Sequence, residues 1–522
     1  MKKTLVLLVL NGIILSLVLI FVISCNLFGG GGVNGIGTIP IIGNGGSGGS
    51  GGTGGSDGSG GSGGTGIVGK VSNTFGTLLG RDIDSDGDND AAVIFSKIVG
   101  GNNGDIGISI YTDSNRKIYV AGHGSNWSSI CGYVLRLNTD GSVDNTFGMP
   151  LGRDINGDGI NDSAVILDNI AGGNGYDYVR AFYLDSNNKV YIAGESSMGN
   201  GNYAMYVIRL NSDGSIDNNY GMSLGRDIDG DGNNDSAVLI YDSSAGGYGF
   251  FRYVSSFLVG DSNGKIYVTG TYTLRLNTNG SIDNTFGMPL GRDINGDGIN
   301  DSAVIGGSSL CLDSTGKIYI TGRIENGNNY DIYVIRLNNN GKVDNTFGSS
   351  LGRDIDLDGV NDSGFIINNI SGTRVSSSDS IALDSTGKVV ITGRSFNGRN
   401  YEMYVLKLNP DGSIDIGFGN NGVVFGITGG NGFDSRSAMV LDNFDKIYLT
   451  GQDINSDVYL IRLNSNGSLD TTFGNNGKVL VNNIIGSYDR GNSLCLDNQG
   501  KIYVTGDSDN VGNWEMYVLQ IE

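Results

Sequence analysis

One phrase returns seven times along this chain, and that recurrence limits what it can fold into more than any other feature. A short apolar run of the type Lys-Ile-Tyr-Val-Thr-Gly occupies 117–122, 189–194, 265–270, 317–322, 388–393, 446–451 and 501–506. A polar turn precedes each one, and another apolar run precedes the turn, which is a hairpin pattern. A third strand follows, at 205–210 for example. Next comes a turn phrase of the form Asn-x-x-Gly-Ser-Ile-Asp that ends in Phe-Gly or Tyr-Gly, and a fourth short apolar run such as 163–167 closes the unit. The period is 52 to 76 residues with no helical spacing.

The middle strands are apolar on both faces. Val190 and Ile192 point one way, Tyr191 and Ala193 the other. A sheet buried on both faces needs a neighbour on each side, and blades stacked around an axis supply it. A solenoid is the competitor, but it needs polar caps that neither end shows. The last repeat stops after its third strand, and the first begins with an orphan piece, Val71, Ser72, Asn73, Thr74, Phe75 and Gly76. The prediction is therefore an all-β, seven-bladed β-propeller of four-stranded antiparallel blades over 67–522, its ring closed by the N-terminal segment, which hides sheet edges.

The repeat has a recognisable form. Asn464-Ser465-Asn466-Gly467-Ser468-Leu469-Asp470-Thr471-Thr472-Phe473-Gly474 and, later, Leu496-Asp497-Asn498-Gln499-Gly500-Lys501-Ile502-Tyr503-Val504-Thr505-Gly506 resemble the delta-sixty repeat, a bacterial β-propeller family. The likeness covers nearly all of 69–522. It implies a propeller outside the cytoplasm and no particular enzymatic activity.

Five repeats depart from that pattern by an insertion after the Phe-Gly. The inserted loops are 82–90, 154–162, 227–235, 293–301 and 354–362, with oxygen side chains at positions 1, 3, 5 and 9 and Gly at position 6. The candidate ligands are Asp82, Asp84, Asp86, Asp88 and Asp90; Asp154, Asn156, Asp158, Ile160 and Asp162; Asp227, Asp229, Asp231, Asn233 and Asp235; Asp293, Asn295, Asp297, Ile299 and Asp301; and Asp354, Asp356, Asp358, Val360 and Asp362. The position-7 residue of each set would offer its carbonyl. This is the front of an EF-hand loop, but position 12 is Val93, Val165, Val238, Val304 or Phe365 rather than Glu. The loops resemble instead the short calcium loops of integrin-type FG-GAP propellers. Three to five carboxylates within nine residues repel one another without a cation. The expectation is up to five Ca²⁺ ions with a structural role; a solvated Asx-rich turn is the plain alternative.

Composition sets the partners. The formal charge is −21, from 54 acidic and 33 basic residues, which disfavours nucleic acid. No phosphate-cradling Gly-rich motif occurs, so no nucleotide partner is expected. Lys2 and Lys3 precede an apolar run over 4–23, and Val22-Ile23-Ser24-Cys25 resembles the bacterial lipobox. The expected organisation is a lipoprotein signal peptide at 1–24, a lipidated Cys25 with a Gly/Ser-rich tether at 25–66, and the propeller beyond. An uncleaved spanning helix is the competing reading of the apolar run. The resulting location is the cell envelope, facing periplasm or exterior, with the outer membrane favoured. Cys131, Cys311 and Cys495 read as small buried apolar residues.

Catalytic motifs are lacking. His123 is the sole histidine and reads as an ordinary surface residue, so no triad or His-rich zinc site is assigned. Arg81, Arg153, Arg226, Arg292 and Arg353, each beside a loop's first position, read as braces to loop carboxylates or to the next blade. The expectation is a non-enzymatic surface binding or scaffold module for an unknown protein or glycan, with specificity in 123–130, 195–203, 323–331, 394–402 and 507–515. The alternative is a propeller hydrolase or lyase that acts on surface glycans with carboxylates.

Overall fold

The computed structural model describes residues 69–522, apart from 102, 174, 200, 242–256, 327–328, 357, 368–369, 371–374, 397–400 and 428–434. The expected signal, lipobox Cys25 and tether lie outside the described residues. Every named element is a β-strand, and the strands form seven antiparallel sheets.

Each sheet begins with an innermost strand: Asn103–Thr112, Asp177–Leu184, Phe257–Gly260, Ser309–Leu312, Val375–Leu383, Ser435–Leu441 and Asp489–Leu496. Each touches the next, and the last touches the first. The core repeats the same circuit. It falls into seven clusters, each drawn from two adjacent sheets, and one of them joins Cys495, Tyr503 and Met516 of the last sheet to Val120, Tyr133 and Leu135 of the first. Seven sheets in a row would share six interfaces; seven interfaces make a ring. The molecule is a seven-bladed propeller whose apolar faces are buried between blades.

The sheet that contains Asp489–Leu496 draws on both ends of the described chain. Ala91–Phe95 pairs with Asn513–Ile521 through Val93 and Val518, Ile94 and Tyr517, and Phe95 and Met516. Val71 bridges Ile521.

The expected four strands per blade need one correction. Five sheets have five strands, and the extra one is only two residues long, as at Met149–Pro150 and Ser349–Ser350. It occurs in the five sheets that carry an Asp-rich insertion. The insertion turns the outer edge into a hairpin: the chain descends through the short strand, rounds the loop and returns as Ser163–Leu167 or its counterpart. The two sheets without the insertion have four strands and turn through Asn420, Asn421 and Gly422, or Asn475, Asn476 and Gly477.

The recurring letters have a packing reason. The Lys that opens the strand phrase, the Arg of the third strand and the Asp of the turn phrase meet. Lys117 Nζ and Arg136 Nε lie 2.8 and 2.9 Å from Asp144 Oδ2, and the arrangement recurs at Asp217, Asp283, Asp344 and Asp470. The Tyr of the strand phrase meets the Phe of the turn phrase edge-on, as with Tyr319 and Phe347 at 5.7 Å and 87°. Such pairs add about 0.5–1.5 kcal/mol beyond area burial. Cys131, Cys311 and Cys495 are buried thiols, in keeping with their reading as apolar fillers.

Candidate metal centres

Each insertion is closed at its neck by two backbone hydrogen bonds. In the third loop the N–H of Leu224 donates to Asp235 O at 2.7 Å, and the N–H of Asp235 to Arg226 O at 2.8 Å. Inside, the first aspartate folds back over the loop. The N–H of Gly87, Gly159, Gly232, Gly298 and Gly359 donates to the carboxylate of Asp82, Asp154, Asp227, Asp293 and Asp354 at 2.8 to 2.9 Å. All five of these glycines adopt positive φ, between 85° and 100°, which a side-chain-bearing residue adopts only with strain. The Gly159 N–H is the main reason Asp154 titrates below the usual carboxylate range.

Three loops bring carboxylates together. One oxygen from each of Asp82, Asp84 and Asp86 lies within 4.8 Å of the others, and the same holds for Asp227, Asp229 and Asp235, and for Asp354, Asp356 and Asp362. These clusters could hold a metal ion. Asp231 and Asp358 stand outside their loops' triads. In the second and fourth loops no such carboxylate triad forms among the described residues. There Asn156 and Asn295 take the third position and donate to Asp158 and Asp297 at 3.2 Å. Of the position-7 residues, Ile160, Ile299 and Val360 are exposed, which leaves the carbonyl as the only donor they could offer. Asn233 is likewise exposed, and Asp88 lies 3.8 Å from Lys70 Nζ.

The ninth position is chemically unusual. Asp90, Asp162, Asp235, Asp301 and Asp362 are at most 1% exposed. Oδ2 of the first four accepts the N–H of the loop's second residue, at 2.7 to 2.9 Å. Oδ1 of those same four is buried without a hydrogen-bond partner. A buried acceptor left unsatisfied costs about 1–3 kcal/mol, more when charged. Burial, with repulsion from Asp84, Asp86 and Asp82, pushes the Asp90 carboxyl up to about 6, and burial with its own neighbours brings Asp229 to about 6.

The loops sit at seams between blades. Ile155 O accepts from Ser96, Ile228 O from Asp168, Ile294 O from Tyr241 and Ile83 O from Asn482, each donor being the residue that follows the preceding blade's outer strand. Arg153 donates to Lys97 O at 3.0 Å, Arg226 to Ile170 O at 2.7 Å, and Arg81 to Ile484 O. Arg81, Arg153 and Arg226 thus brace their seams, whereas Arg292 donates to the Tyr272 hydroxyl at 2.7 Å within its own blade.

Sequence reasoning missed a second polar region, on the innermost two strands of the first, second, fifth and last blades. The residue after the strand-closing Gly faces a partner on the innermost strand: Glu195 with Arg180 at 3.4 Å, Arg394 with Asp379 at 3.3 Å, and Asp507 with Arg490 at 2.5 Å. Arg180 and Asp379 lie at β-bulges, which re-aim a side chain. His123 holds the equivalent position in the first blade. It is not a surface residue: it is 5% exposed and packs edge-on against Tyr178 at 5.1 Å. The sequence signal was available, because His123, Glu195, Arg394 and Asp507 all follow the same glycine. The expected recognition segments are also partly strand. The hairpins run on to Ser125, Gly199, Phe396 and Asn510 before they turn.

Comparison with known proteins agrees with the architecture. Residues 114–147, 186–220, 262–286, 314–347, 385–418 and 445–473 match the family described as Domain of unknown function (DUF5122) beta-propeller, which supports a β-propeller repeat family. No curated protein matches the chain in sequence. Among solved structures, polysaccharide lyase Uly1 is 10% identical with a TM-score of 0.44, over 87% of this chain and 97% of that one. The WD40 domain of Toxoplasma gondii coronin is 9% identical with a TM-score of 0.41, over 87% and 88%. A glucose dehydrogenase is 10% identical with a TM-score of 0.36, over 80% and 97%. These matches correct the expectation of a non-enzymatic chain: propeller enzymes stand among the similar folds beside a WD40 domain, so this architecture gives no ground for setting catalysis aside.

Proposed function

We propose that this protein is a calcium-loaded propeller, carried at the cell envelope on a lipidated Cys25, that presents a binding surface at the ends of its blades. One observation carries the metal reading: four buried aspartate oxygens, at homologous positions, have no hydrogen-bond partner and lie in loops dense with other carboxylates. Calcium suits such a site, since it takes six to eight oxygen ligands in flexible geometry, including carbonyls and water. At the blade seams it would replace carboxylate repulsion with ligation and stiffen the ring. Thermal unfolding of the full chain tests this. Saturating calcium is expected to raise the midpoint by about 10 °C over chelator, since each site adds roughly 2.7 kcal/mol at a hundredfold excess over Kd. Equal midpoints would refute it. The anchor is checked by palmitate labelling, which a Cys25→Ala variant should lose.

The binding surface draws support from the turns that end the hairpins. Trp127 is 68% exposed and Val511 99%, and Met198 is partly exposed on the next blade round. Trp127 and Val511 also adopt positive φ, 80° and 53°, a strain that bulky residues rarely carry without a use.

A second reading, carboxylate chemistry on glycans, is favoured by the buried Glu195, Asp379 and Asp507 on the strands nearest the axis. Incubation with uronate-containing polysaccharides decides it: an unsaturated product formed by the wild type and lost in Glu195→Gln would establish a lyase.

A further inference from the structure

The five loops are not equivalent, and two lysines make the difference. The turn phrase before each insertion carries Lys70, Ser142, Ser215, Ser281 or Lys342 at one homologous position. Lys342 Nζ lies 3.3 Å from Asp358 Oδ2, and Lys70 Nζ 3.8 Å from Asp86 Oδ2. Both contacts fall on the fifth loop position. In the same two loops the third-position carboxylate is engaged as well: Asp84 Oδ2 accepts the Val71 N–H at 2.6 Å, and Asp356 Oδ2 the Val343 N–H at 2.8 Å. The lysines also line open clefts of about 790 and 600 Å³ beside their loops, so a solvent cation has access to the place each ammonium holds.

The third loop has neither feature. Asp227, Asp229, Asp231 and Asp235 supply four carboxylates at the ligand positions, and Ser215 stands where the lysines stand elsewhere. No ion pair reaches these four among the described residues. Asp235 Oδ1 is buried and unpartnered, and Asp235 belongs to the triad with Asp227 and Asp229. The second and fourth loops have three carboxylates, because Asn156 and Asn295 replace the fourth. Counting positions 1, 3, 5 and 9, with each lysine cancelling one charge, only the third loop keeps four uncompensated; the first loop's extra carboxylate, Asp88 at position 7, lies 3.8 Å from the same Lys70 Nζ.

We propose that Lys70 and Lys342 act as built-in counter-ions that weaken calcium binding at loops 82–90 and 354–362, so that loop 227–235 is the tightest of the five sites. The inference rests on the metal reading above. Affinity in oxygen-ligand sites follows ligand charge, and an ammonium about 4 Å from a ligand carboxylate opposes a divalent ion directly. The lysines are half-exposed, so solvent limits their effect to about tenfold in Kd.

Equilibrium dialysis of calcium against the full chain in detergent tests the proposal. The wild type is expected to show one tight equivalent, and Asp231→Asn to lose it. The double variant Lys70→Ser and Lys342→Ser should show three, with two sites tightened about tenfold. Lys70→Arg with Lys342→Arg keeps the charge and should behave as the wild type, which separates electrostatics from damage to the fold. The proposal falls if the serine variant binds as the wild type does, or if Asp231→Asn keeps the tight equivalent. Absence of calcium binding in every form would instead overturn the metal reading beneath it.

Discussion

Single residues in this molecule carry costs that the repeat pattern hides. Val511 is β-branched, 99% exposed and held at a φ of 53° in the two-residue turn between Asn510 and Asn513. Left-handed backbone costs such a residue about 1–2 kcal/mol, and Asn tolerates it. Val511→Asn is therefore expected to stabilise the protein by about 1 kcal/mol in urea unfolding; a neutral or destabilised variant would show that the turn is not strained. Asp105 shows the opposite kind of burden. Its Oδ2 accepts the Ile98 N–H at 3.0 Å, and burial pushes its carboxyl up to about 7 from 3.8. Because the folded state holds this proton more tightly than the unfolded state, the group favours folding below about pH 4. That contribution is lost as pH rises from about 4 to about 7. Asp105→Asn cannot ionise, so it should melt above the wild type at pH 8 and lose that advantage by pH 4; melting curves at the two pH values check the sign. Neither residue's burden was legible in the sequence, since Asp105 looks like any strand-entry aspartate until the preceding turn folds over it.

At the scale of the element, the repeat phrase was legible because its letters meet across a short distance. Lys317, Arg336 and Asp344 converge within one blade, and Tyr319 and Phe347 stack beside them, so local spacing records the contact. The fifth repeat makes the same point by exception. Val390 replaces the Tyr and Lys407 the Arg, and Lys407 Nζ turns to Asp384 at 2.8 Å. The glycines of the turn phrase record a contact of another kind, between blades. The Gly148 N–H donates to Asp213 O, and a Cβ on Gly214, whose φ is 91°, would lie 2.4 Å from Gly148 N. Gly214→Ala should thus cost about 2–4 kcal/mol, well beyond the ordinary Gly-to-Ala change, as read from the urea midpoint. A variant within 1 kcal/mol of the wild type would show that the seam gives way easily. The aspartate loops were legible as a spacing, but their unequal environments were not: the Lys70 and Lys342 ammoniums arrive from a turn phrase twelve or more residues away.

For the whole molecule the decisive fact is that seven apolar interfaces join seven sheets. Ala91–Phe95 covers the edge of Asn513–Ile521 in the sheet that draws on both ends of the described residues. Deletion of residues 69–95 is expected to expose that edge and produce oligomers in size-exclusion chromatography; a stable monomer would mean that the edge needs no cover. The sequence by itself determined the strand count per repeat to within the short outer strand, the sevenfold period and the carboxylate-rich insertions. These follow from alternation of apolar side chains and from turn chemistry, which act over a few residues. Only the tertiary structure decided which charges are buried, that His123 lies against Tyr178, and that a lysine reaches two of the five loops. Those outcomes depend on how neighbouring blades approach, and burial is a property of the closed ring rather than of any segment within it.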